Sequence, residues 1–389
     1  MKRVFLIILD SFGIGEAPDA DKFGDKGSNT LASVYTSEFL NVPNMAKLGL
    51  FNIDGVEVGG DKNSQLIGSY ARMTEQSMGK DTTIGHWEIA GLISKAPLPT
   101  FPNGFPKELL DELSARTKRG ILCNKPYSGT EVIHDFGREH EKTGDLIVYT
   151  SADSVLQIAA HEEVIPIEQL YEYCEIAREI CKDEWGVGRI IARPFIGEFP
   201  NYERTSRRHD FSLQPPRPTM LDVLKENNYQ AIGIGKINDI FAGKGITSTT
   251  TTASNAEGIE RTIECISKDF EGICFTNLVD FDMVYGHRND IDGYAKALSY
   301  FDSQLPRIID GLKEDDLLLI TADHGCDPGT ESTDHSREYT PLLIYGKKIK
   351  SNINIGTRAT FADIGSSILD YFGLDNSLDG ESFLNKVVM

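Results

Sequence analysis

The chain lacks closely spaced cysteines and long apolar runs. Its six cysteines are scattered along 389 residues without a Cys-x-x-Cys motif, so neither a zinc ribbon nor a dithiol redox site is predicted. The apolar run at 4–9 is too short for a signal peptide and ends in Asp10, and no run approaches the length of a membrane span. We therefore expect a cytoplasmic protein that does not bind membranes.

Basic residues are also scarce. Lys and Arg number 39 against 59 Asp and Glu, which gives a formal net charge of −20. A chain of this charge repels nucleic acid and anionic membrane surfaces at long range, so nucleic-acid binding is not expected. It can still bind an anionic substrate if its carboxylates hold divalent metal ions, because a bound metal reverses the sign of the local field.

The length of the chain exceeds that of a single typical core and predicts two compact units. Stretches rich in Pro and Gly begin near residue 96 and recur at 211–220, and such stretches often mark crossings between domains. We therefore predict a metal-binding catalytic core made from residues 1–95 and 215–389. A smaller α/β cap domain would be inserted at 96–214.

Short, continuous apolar runs followed by acidic or small polar residues recur along the chain. Runs of this kind are typical of strands buried on both faces of a mostly parallel sheet. Helical patterns cover 293–313 and 360–374, the second with Thr360 as a candidate N-cap and Gly373 near its end. The alternation predicts an α/β fold whose sheet is covered by helices, with ligands at the carboxyl ends of the strands. The runs lie at 4–10, 146–153, 231–236, 273–282, 317–325 and 341–345.

Three of these runs end in carboxylate and imidazole side chains that are far apart in sequence. The carboxyl ends of parallel strands meet at one edge of a sheet, so these side chains would converge. Their mixture suits Mn, Zn or a related divalent ion better than calcium, which prefers oxygen ligands. Each residue alone has a structural alternative, such as a helix cap or a buried histidine. The candidate ligands are Asp10, Asp282, His287, Asp323 and His324, with His335 supplied by the segment 333–341.

The residue pattern leaves two choices open: the aspartate that binds metal and the threonine that acts as nucleophile. Asp280 competes with Asp282, because residues two apart face the same side of a strand. In "GKDTTIGH", residues 79–86, a metal next to a threonine hydroxyl would make that oxygen a nucleophile. The spacing does not choose between Thr82 and Thr83, and a threonine-rich helix cap is the structural alternative.

Several segments together resemble the phosphopentomutase family, which comprises dimetal enzymes of the alkaline phosphatase superfamily. The resemblance implies an isomerase of nucleoside catabolism. Such an enzyme interconverts ribose 1-phosphate, or 2-deoxyribose 1-phosphate, and the 5-phosphate through a phosphothreonine and a pentose bisphosphate. The alternatives are another dimetal phosphomutase or phosphatase of the superfamily, and a non-catalytic metal-binding protein. The segments are "ILDSFGIGEAPDA", "GKDTTIGHWE", "IVYTSADSVLQIAAHEE", "GKINDIFAGKG", "VDFDMVYGHRND", "TADHGCDP" and "TDHSREYTPLL".

The resemblance also implies roles for individual residues. Thr82 would be the nucleophile that carries the phosphoryl group. Two divalent ions, usually Mn²⁺ in this family, would be bound, and a sugar bisphosphate is a candidate activator. Arginines concentrated at 189–208 suit phosphate binding. One ion would be held by Asp10, Asp323 and His324, and the other by Asp282, His287 and His335. The expected substrate contacts are Ser151, Asp153, Arg189 and Lys236.

Overall fold

In the computed structural model, the chain is described over residues 1–59, 65–151 and 153–389. It divides into two compact units. The core unit comprises 1–96 and 215–389, and the inserted unit comprises 97–214. None of the helices in the described residues combines the length and the hydropathy needed to cross a bilayer.

The described residues alternate between strands and helices, as the apolar runs predict. The strands are β1 (Arg3–Leu9), β2 (Ser69–Met73), β3 (Ile121–Pro126), β4 (Leu146–Thr150), β5 (Val155–His161), β6 (Arg189–Ile196), β7 (Glu203–Arg204), β8 (His209–Ser212), β9 (Gln230–Ile234), β10 (Ser248–Thr250), β11 (Gly272–Leu278), β12 (Asp316–Thr321), β13 (Thr340–Tyr345) and β14 (Asn354–Arg358). The α-helices are α1 (Thr30–Tyr35), α2 (Pro43–Leu48), α3 (Thr82–Ile89), α4 (Lys107–Thr117), α5 (Glu131–Thr143), α6 (Ile167–Ile180), α7 (Met220–Glu226), α8 (Ile237–Ile240), α9 (Asn255–Ile266), α10 (Ile291–Gly311), α11 (Ala362–Phe372) and α12 (Leu384–Val387).

The core unit is built on an eight-stranded sheet of order β10-β9-β11-β1-β12-β13-β2-β14. The strands from β10 to β12 are parallel, β13 is antiparallel to both of its neighbours, and β14 is parallel to β2. Both β1 and β12 are buried along their whole length and consist largely of aliphatic residues, as expected for strands covered on both faces. The predicted mostly parallel sheet is confirmed, and β1, β9, β11 and β12 end at the same edge.

The inserted unit has a six-stranded sheet of its own. Its strands follow the order β3-β4-β5-β6-β7, with β8 paired to β6. One face packs its apolar residues with those of α4 and α6, and the other face packs with α5. Each unit therefore has its own hydrophobic core, which is the usual mark of a domain.

Two sequence-based expectations need correction. Helix α11 begins at Ala362 after Phe361 as N-cap, so Thr360 is not the N-cap. The Thr360 hydroxyl nevertheless accepts from the Ala362 N–H at 3.0 Å and donates to Glu88 Oε1 at 2.7 Å. Gly373 ends the helix with φ of 75°, a conformation that favours glycine. Strand β11 ends before residue 280, so the argument that Asp280 and Asp282 share a strand face is wrong.

A buried guanidinium fixes the backbone that leads into α3. Arg337 Nη1 donates to the carbonyl oxygens of Ser77 at 2.8 Å and Gly79 at 2.7 Å, and Nη2 donates to the Glu75 carbonyl at 2.8 Å. The same Nη1 lies 2.7 Å from the Glu75 carboxylate, and Nε lies 3.1 Å from Asp19. Burial raises the pKa of Glu75, and the Arg337 charge opposes that rise. The segment 75–79 is therefore held at several points by one side chain.

Replacing Arg337 by Met should destabilise the core unit strongly. The substitution leaves Glu75 and three carbonyl oxygens buried without their donor, and breaking a buried ion pair costs about 3–5 kcal/mol. Calorimetric unfolding of the whole chain measures the loss as a lower Tm. The matched control is Arg217→Met, which breaks an exposed pair with Asp379 in the same unit and should cost at most about 1 kcal/mol. Equal Tm shifts for the two variants would contradict this role of Arg337.

Candidate active site

Carboxylates and imidazoles from distant parts of the chain meet at the carboxyl edge of the core sheet. Asp10 directly follows β1, and Asp323 and His324 follow β12 after a turn; all three are fully buried. The described residues form three overlapping groups in which the candidate ligand atoms all lie within 4.8 Å of one another. The groups are Asp10 with Asp323 and His324, Asp282 with His324 and His335, and Asp282 with His287 and Cys326.

The first cluster comprises Asp10, Asp323 and His324. The Nε2 atom of His324 lies 3.4 Å from Asp10 Oδ1 and 3.3 Å from Asp323 Oδ2. Next to Asp10, Ser11 adopts φ of 71°, a conformation rare for residues other than glycine. Its N–H donates to Asp323 Oδ1 at 3.1 Å. The strained turn after β1 thus joins the ends of two neighbouring strands.

The second cluster comprises Asp282, His287 and His335. Asp282 lies in a π-helical turn, Phe281–Tyr285, with His287 Nε2 3.2 Å from its Oδ2 and His335 Nε2 3.3 Å from its Oδ1. The two Nε2 atoms are 3.1 Å apart, and the His335 ring also lies 4.1 Å from the His324 ring. His335 therefore stands between the clusters. Asp280 instead accepts from the Asn255 N–H at 2.7 Å, so Asp282 is the carboxylate in this cluster.

These residues suit divalent cations. Three buried carboxylate oxygens, Asp10 Oδ1, Asp282 Oδ1 and Asp323 Oδ2, have no hydrogen-bond partner among the described residues. Burial raises the pKa of Asp10 well above its usual value, and repulsion from Asp323 and Asp282 raises it further. Buried oxygens without donors are costly, and a cation shared by like-charged carboxylates relieves both the desolvation and the repulsion.

Electrostatic coupling is strong in the second cluster as well. Burial acts to raise the pKa of Asp282, but contacts with His287 and His335 outweigh it and hold that pKa well below its usual range. The contact with Asp282 raises the pKa of His287 to about 11, and contact with Cys326 acts in the same direction. The cluster therefore favours positive charge next to Asp282.

Helix α3 presents a threonine hydroxyl to this site. Asp81 is the N-cap, and its Oδ1 accepts from the N–H groups of Thr83 at 3.0 Å and Ile84 at 3.1 Å. Thr82 Oγ1 lies 3.2 Å from His324 Nε2. The helix is therefore capped by an aspartate and not by a threonine. Of the two threonines, Thr82 is the one whose hydroxyl contacts the clusters. The positive end of the helix dipole lies at the same residue.

The expected substrate-binding residues fall in both units. In the inserted unit, the Asp153 N–H donates to Ser151 Oγ at 3.3 Å, and Arg189 lies 3.9 Å from the Asp153 carboxylate and 3.6 Å from that of Asp210. In the core unit, Lys236 Nζ lies 3.0 Å from the sulfur of Met283. Ser151, Asp153 and Arg189 therefore form one polar group within the inserted unit.

Sequence reasoning missed three side chains at the clusters. Cys326 lies two residues after His324 in the segment "TADHGCDP", so its position could have signalled it, and burial raises its pKa to about 11. His86 lies 3.1 Å from Asp323, and Asn277 donates to Asp10 at 2.7 Å. Asn277 is the single amide side chain within the apolar run of β11, and a lone amide near the end of a buried strand could have signalled it too.

The curated sequence relatives of this chain agree on one family. Residues 2–376 match the Metalloenzyme superfamily. The chain is 66% identical over 388 residues to a phosphopentomutase of Lachnoclostridium phytofermentans, with 99% of each chain covered. It is 57% identical to a phosphopentomutase of Acetivibrio thermocellus, with 100% of each covered. The chain belongs to the phosphopentomutase family. Phosphopentomutases are isomerases that act as intramolecular phosphotransferases, so the chain is an isomerase.

The fold of this phosphopentomutase-family chain also occurs among solved structures. The PH0037 protein from Pyrococcus horikoshii superposes with a TM-score of 0.50 and 16% identity, covering 97% of this chain and 99% of the other. Together with the family match, this likeness identifies an alkaline phosphatase-like α/β fold.

Close packing of α3 against the first cluster predicts that Gly85→Ala weakens metal binding. A Cβ at Gly85 would lie 2.1 Å from the carbonyl oxygen of Asp323, so either the helix or the turn must move. Overpacking of this kind costs about 1–3 kcal/mol. We expect a lower Mn²⁺ affinity by equilibrium dialysis and a lower Tm.

Gly258→Ala in α9 is the matched control. There the Cβ would meet the flexible end of Leu278 at 2.8 Å, which can move aside. Unchanged Mn²⁺ affinity in both variants would contradict a role for the close approach of α3 to Asp323.

Proposed function

We propose that the chain interconverts ribose 1-phosphate, or its 2-deoxy analogue, and the corresponding 5-phosphate, with Thr82 as the phosphorylated nucleophile. The observation that carries the proposal is the position of the Thr82 hydroxyl, 3.2 Å from His324 in the carboxylate and histidine clusters. Relatives named phosphopentomutase that match over their full length support the choice of reaction.

The residues of both clusters would hold two divalent ions, for which we propose Mn²⁺. The first cluster would hold one ion and the second cluster the other. When bound, the ions supply positive charge beside the Thr82 oxygen and the transferring phosphoryl group. The mixture of carboxylate and imidazole ligands suits manganese, and the three buried oxygens without donors support two sites of high charge.

The proposed reaction exchanges phosphate between Thr82 and the sugar in two balanced steps. First, the bond between phosphorus and Thr82 Oγ1 breaks while the free sugar hydroxyl bonds to that phosphorus, and the hydroxyl proton passes to the Thr82 oxygen. The product is a pentose bisphosphate. In the second step its other phosphate returns to Thr82, and the proton passes back to the released sugar oxygen. The N-terminus of α3 favours the negative charge of the phosphothreonine.

Arginines of the inserted unit support binding of a phosphate group. Arg207 and Arg208 pair with Glu162 and Asp210, but Arg193 and Arg204 have no ion pair with a carboxylate among the described residues. Burial lowers the pKa of Arg193, and the charges of Arg208 and Arg204 lower it further. Guanidinium groups that repel one another are stabilised by an anion with several oxygens. We propose that the phosphate end of the substrate is such an anion.

Substrate contacts complete the proposal. We propose that Ser151, Asp153 and Arg189 in the inserted unit and Lys236 in the core unit contact the pentose phosphate. The inserted unit, residues 97–214, would act as a cap that keeps water from the phosphothreonine. A sugar bisphosphate would prime Thr82. We also propose a cytoplasmic location, which suits six free thiols.

The reaction is tested by incubating the enzyme with ribose 1-phosphate, Mn²⁺ and a trace of pentose 1,5-bisphosphate. Ribose 5-phosphate and free phosphate are measured in the same samples. We expect ribose 5-phosphate with little free phosphate. Free phosphate as the main product would identify a phosphatase and overturn the proposal, as would the absence of both products.

Thr82→Ala and Thr83→Ala separate the two threonines. Thr82→Ala should lower turnover by at least about 1,000-fold, because it removes the atom that carries the phosphoryl group. Its Mn²⁺ content should be unchanged, since the cluster side chains are intact. Thr83→Ala should keep substantial activity, and mass spectrometry should find phosphate on residue 82. Phosphate on Thr83, or an active Thr82→Ala enzyme, would move the nucleophile.

A further inference from the structure

Two buried polar side chains that carry no expected role lie directly behind the first cluster. Asn277 is near the end of β11, next to β1 in the sheet and paired in register with Ile8, two residues before Asp10. His86 lies in α3, one turn after Thr82, and its ring stacks on Phe275 with a centroid distance of 5.8 Å. Both side chains are almost completely buried, so each of their polar atoms needs a partner inside the protein.

The amide of Asn277 has its orientation imposed by its neighbours. Its Nδ2 atom donates to Asp10 Oδ2 at 2.7 Å and lies 3.3 Å from His86 Nε2. The flipped amide would place oxygen against oxygen at Asp10. With both amide hydrogens directed at these two acceptors, Asn277 Oδ1 is left without a partner. The bond to Oδ2 leaves Asp10 Oδ1 facing His324 in the first cluster.

His86 continues the network from Asn277 to the nucleophile helix. Because its Nε2 accepts from the amide, its proton is on Nδ1. That Nδ1 lies 2.8 Å from the Thr82 carbonyl oxygen and 3.1 Å from Asp323 Oδ2. One imidazole therefore contacts both the backbone of Thr82 and the second carboxylate of the first cluster.

We propose that Asn277 and His86 are positioning residues that orient Asp10 and Asp323 toward a divalent cation and fix Thr82 relative to it. Side chains that hydrogen-bond to metal ligands typically contribute 10–100-fold to metal affinity. The part of the inference that concerns Thr82 rests on the proposed function. The part that concerns the carboxylates does not, so the two are tested by different measurements.

The test begins with Asn277→Leu, which removes both amide donors at nearly constant volume. Mn²⁺ binding is measured by equilibrium dialysis and by the electron paramagnetic resonance of the free ion. We expect the affinity of one of the two ions to fall about 10–100-fold and that of the other to change less than about twofold. The matched control is Thr276→Val, whose hydroxyl bonds to Thr262 at 2.8 Å; it should leave both affinities unchanged.

His86→Phe is the second variant, and it keeps an aromatic ring beside Phe275. It should weaken the same ion as Asn277→Leu. The double variant should lose less affinity than the product of the single losses, because both residues act through one network. A fall in both affinities, no fall in either, or fully multiplicative losses would overturn the proposal.

Enzyme activity distinguishes the part of the inference that concerns Thr82 from the part that concerns the carboxylates. At Mn²⁺ concentrations that saturate the weakened site, Asn277→Leu should recover most of the turnover of the unmodified enzyme. His86→Phe should recover less than Asn277→Leu, because the Thr82 carbonyl has lost its contact with the imidazole. Equal recovery in the two variants would remove the Thr82 part of the inference and leave the carboxylate part intact. If a variant does not fold, as judged by circular dichroism, the other variant decides the outcome through its metal affinities.

Discussion

Repulsion between buried carboxylates is the constraint on which the site depends. Asp282 and Asp323 both raise the cost of ionising Asp10, and one oxygen of each of the three carboxylates has no hydrogen-bond partner among the described residues. The contacts of Asp10 with His324 and with the Asn277 amide reduce that cost only in part. The remaining negative charge makes the site a receptor for cations, and it explains how a chain of net charge −20 can act on a phosphate ester.

Much of this arrangement could be predicted from the sequence. Parallel strands end at one edge of a sheet, so an apolar run followed by an aspartate locates a carboxylate in three dimensions without any knowledge of its neighbours. Asp10 and Asp323 follow this logic. His335 does not end a strand, and only the resemblance of its segment to the phosphopentomutase family placed it beside Asp282.

The choices that the sequence left open depend on backbone geometry. Asp282 reaches the cluster through a π-helical turn after β11, and no residue spacing indicates such a turn. Thr82 and Thr83 are neighbours in the first turn of α3, and the orientation of that helix decides which of the two hydroxyls faces His324. The positions of Asn277 and His86 depend on which strands and helices are neighbours, and that is a tertiary property. Arg337 was missed for the same reason, since its partners lie about 260 residues away.

The central position of β1 has a consequence for the order in which the protein is made and folds. This strand lies between β11 and β12, which end at residues 278 and 321, so it has no neighbour in the sheet until most of the chain has left the ribosome. Contacts this distant in sequence are slow to form, because a long loop must close before they stabilise anything. The inserted unit, whose strands are all local, is complete much earlier. Strand β1 precedes every other strand of the described residues and is thus among the last to be paired, and during that interval its apolar segment is exposed to aggregation and to chaperones.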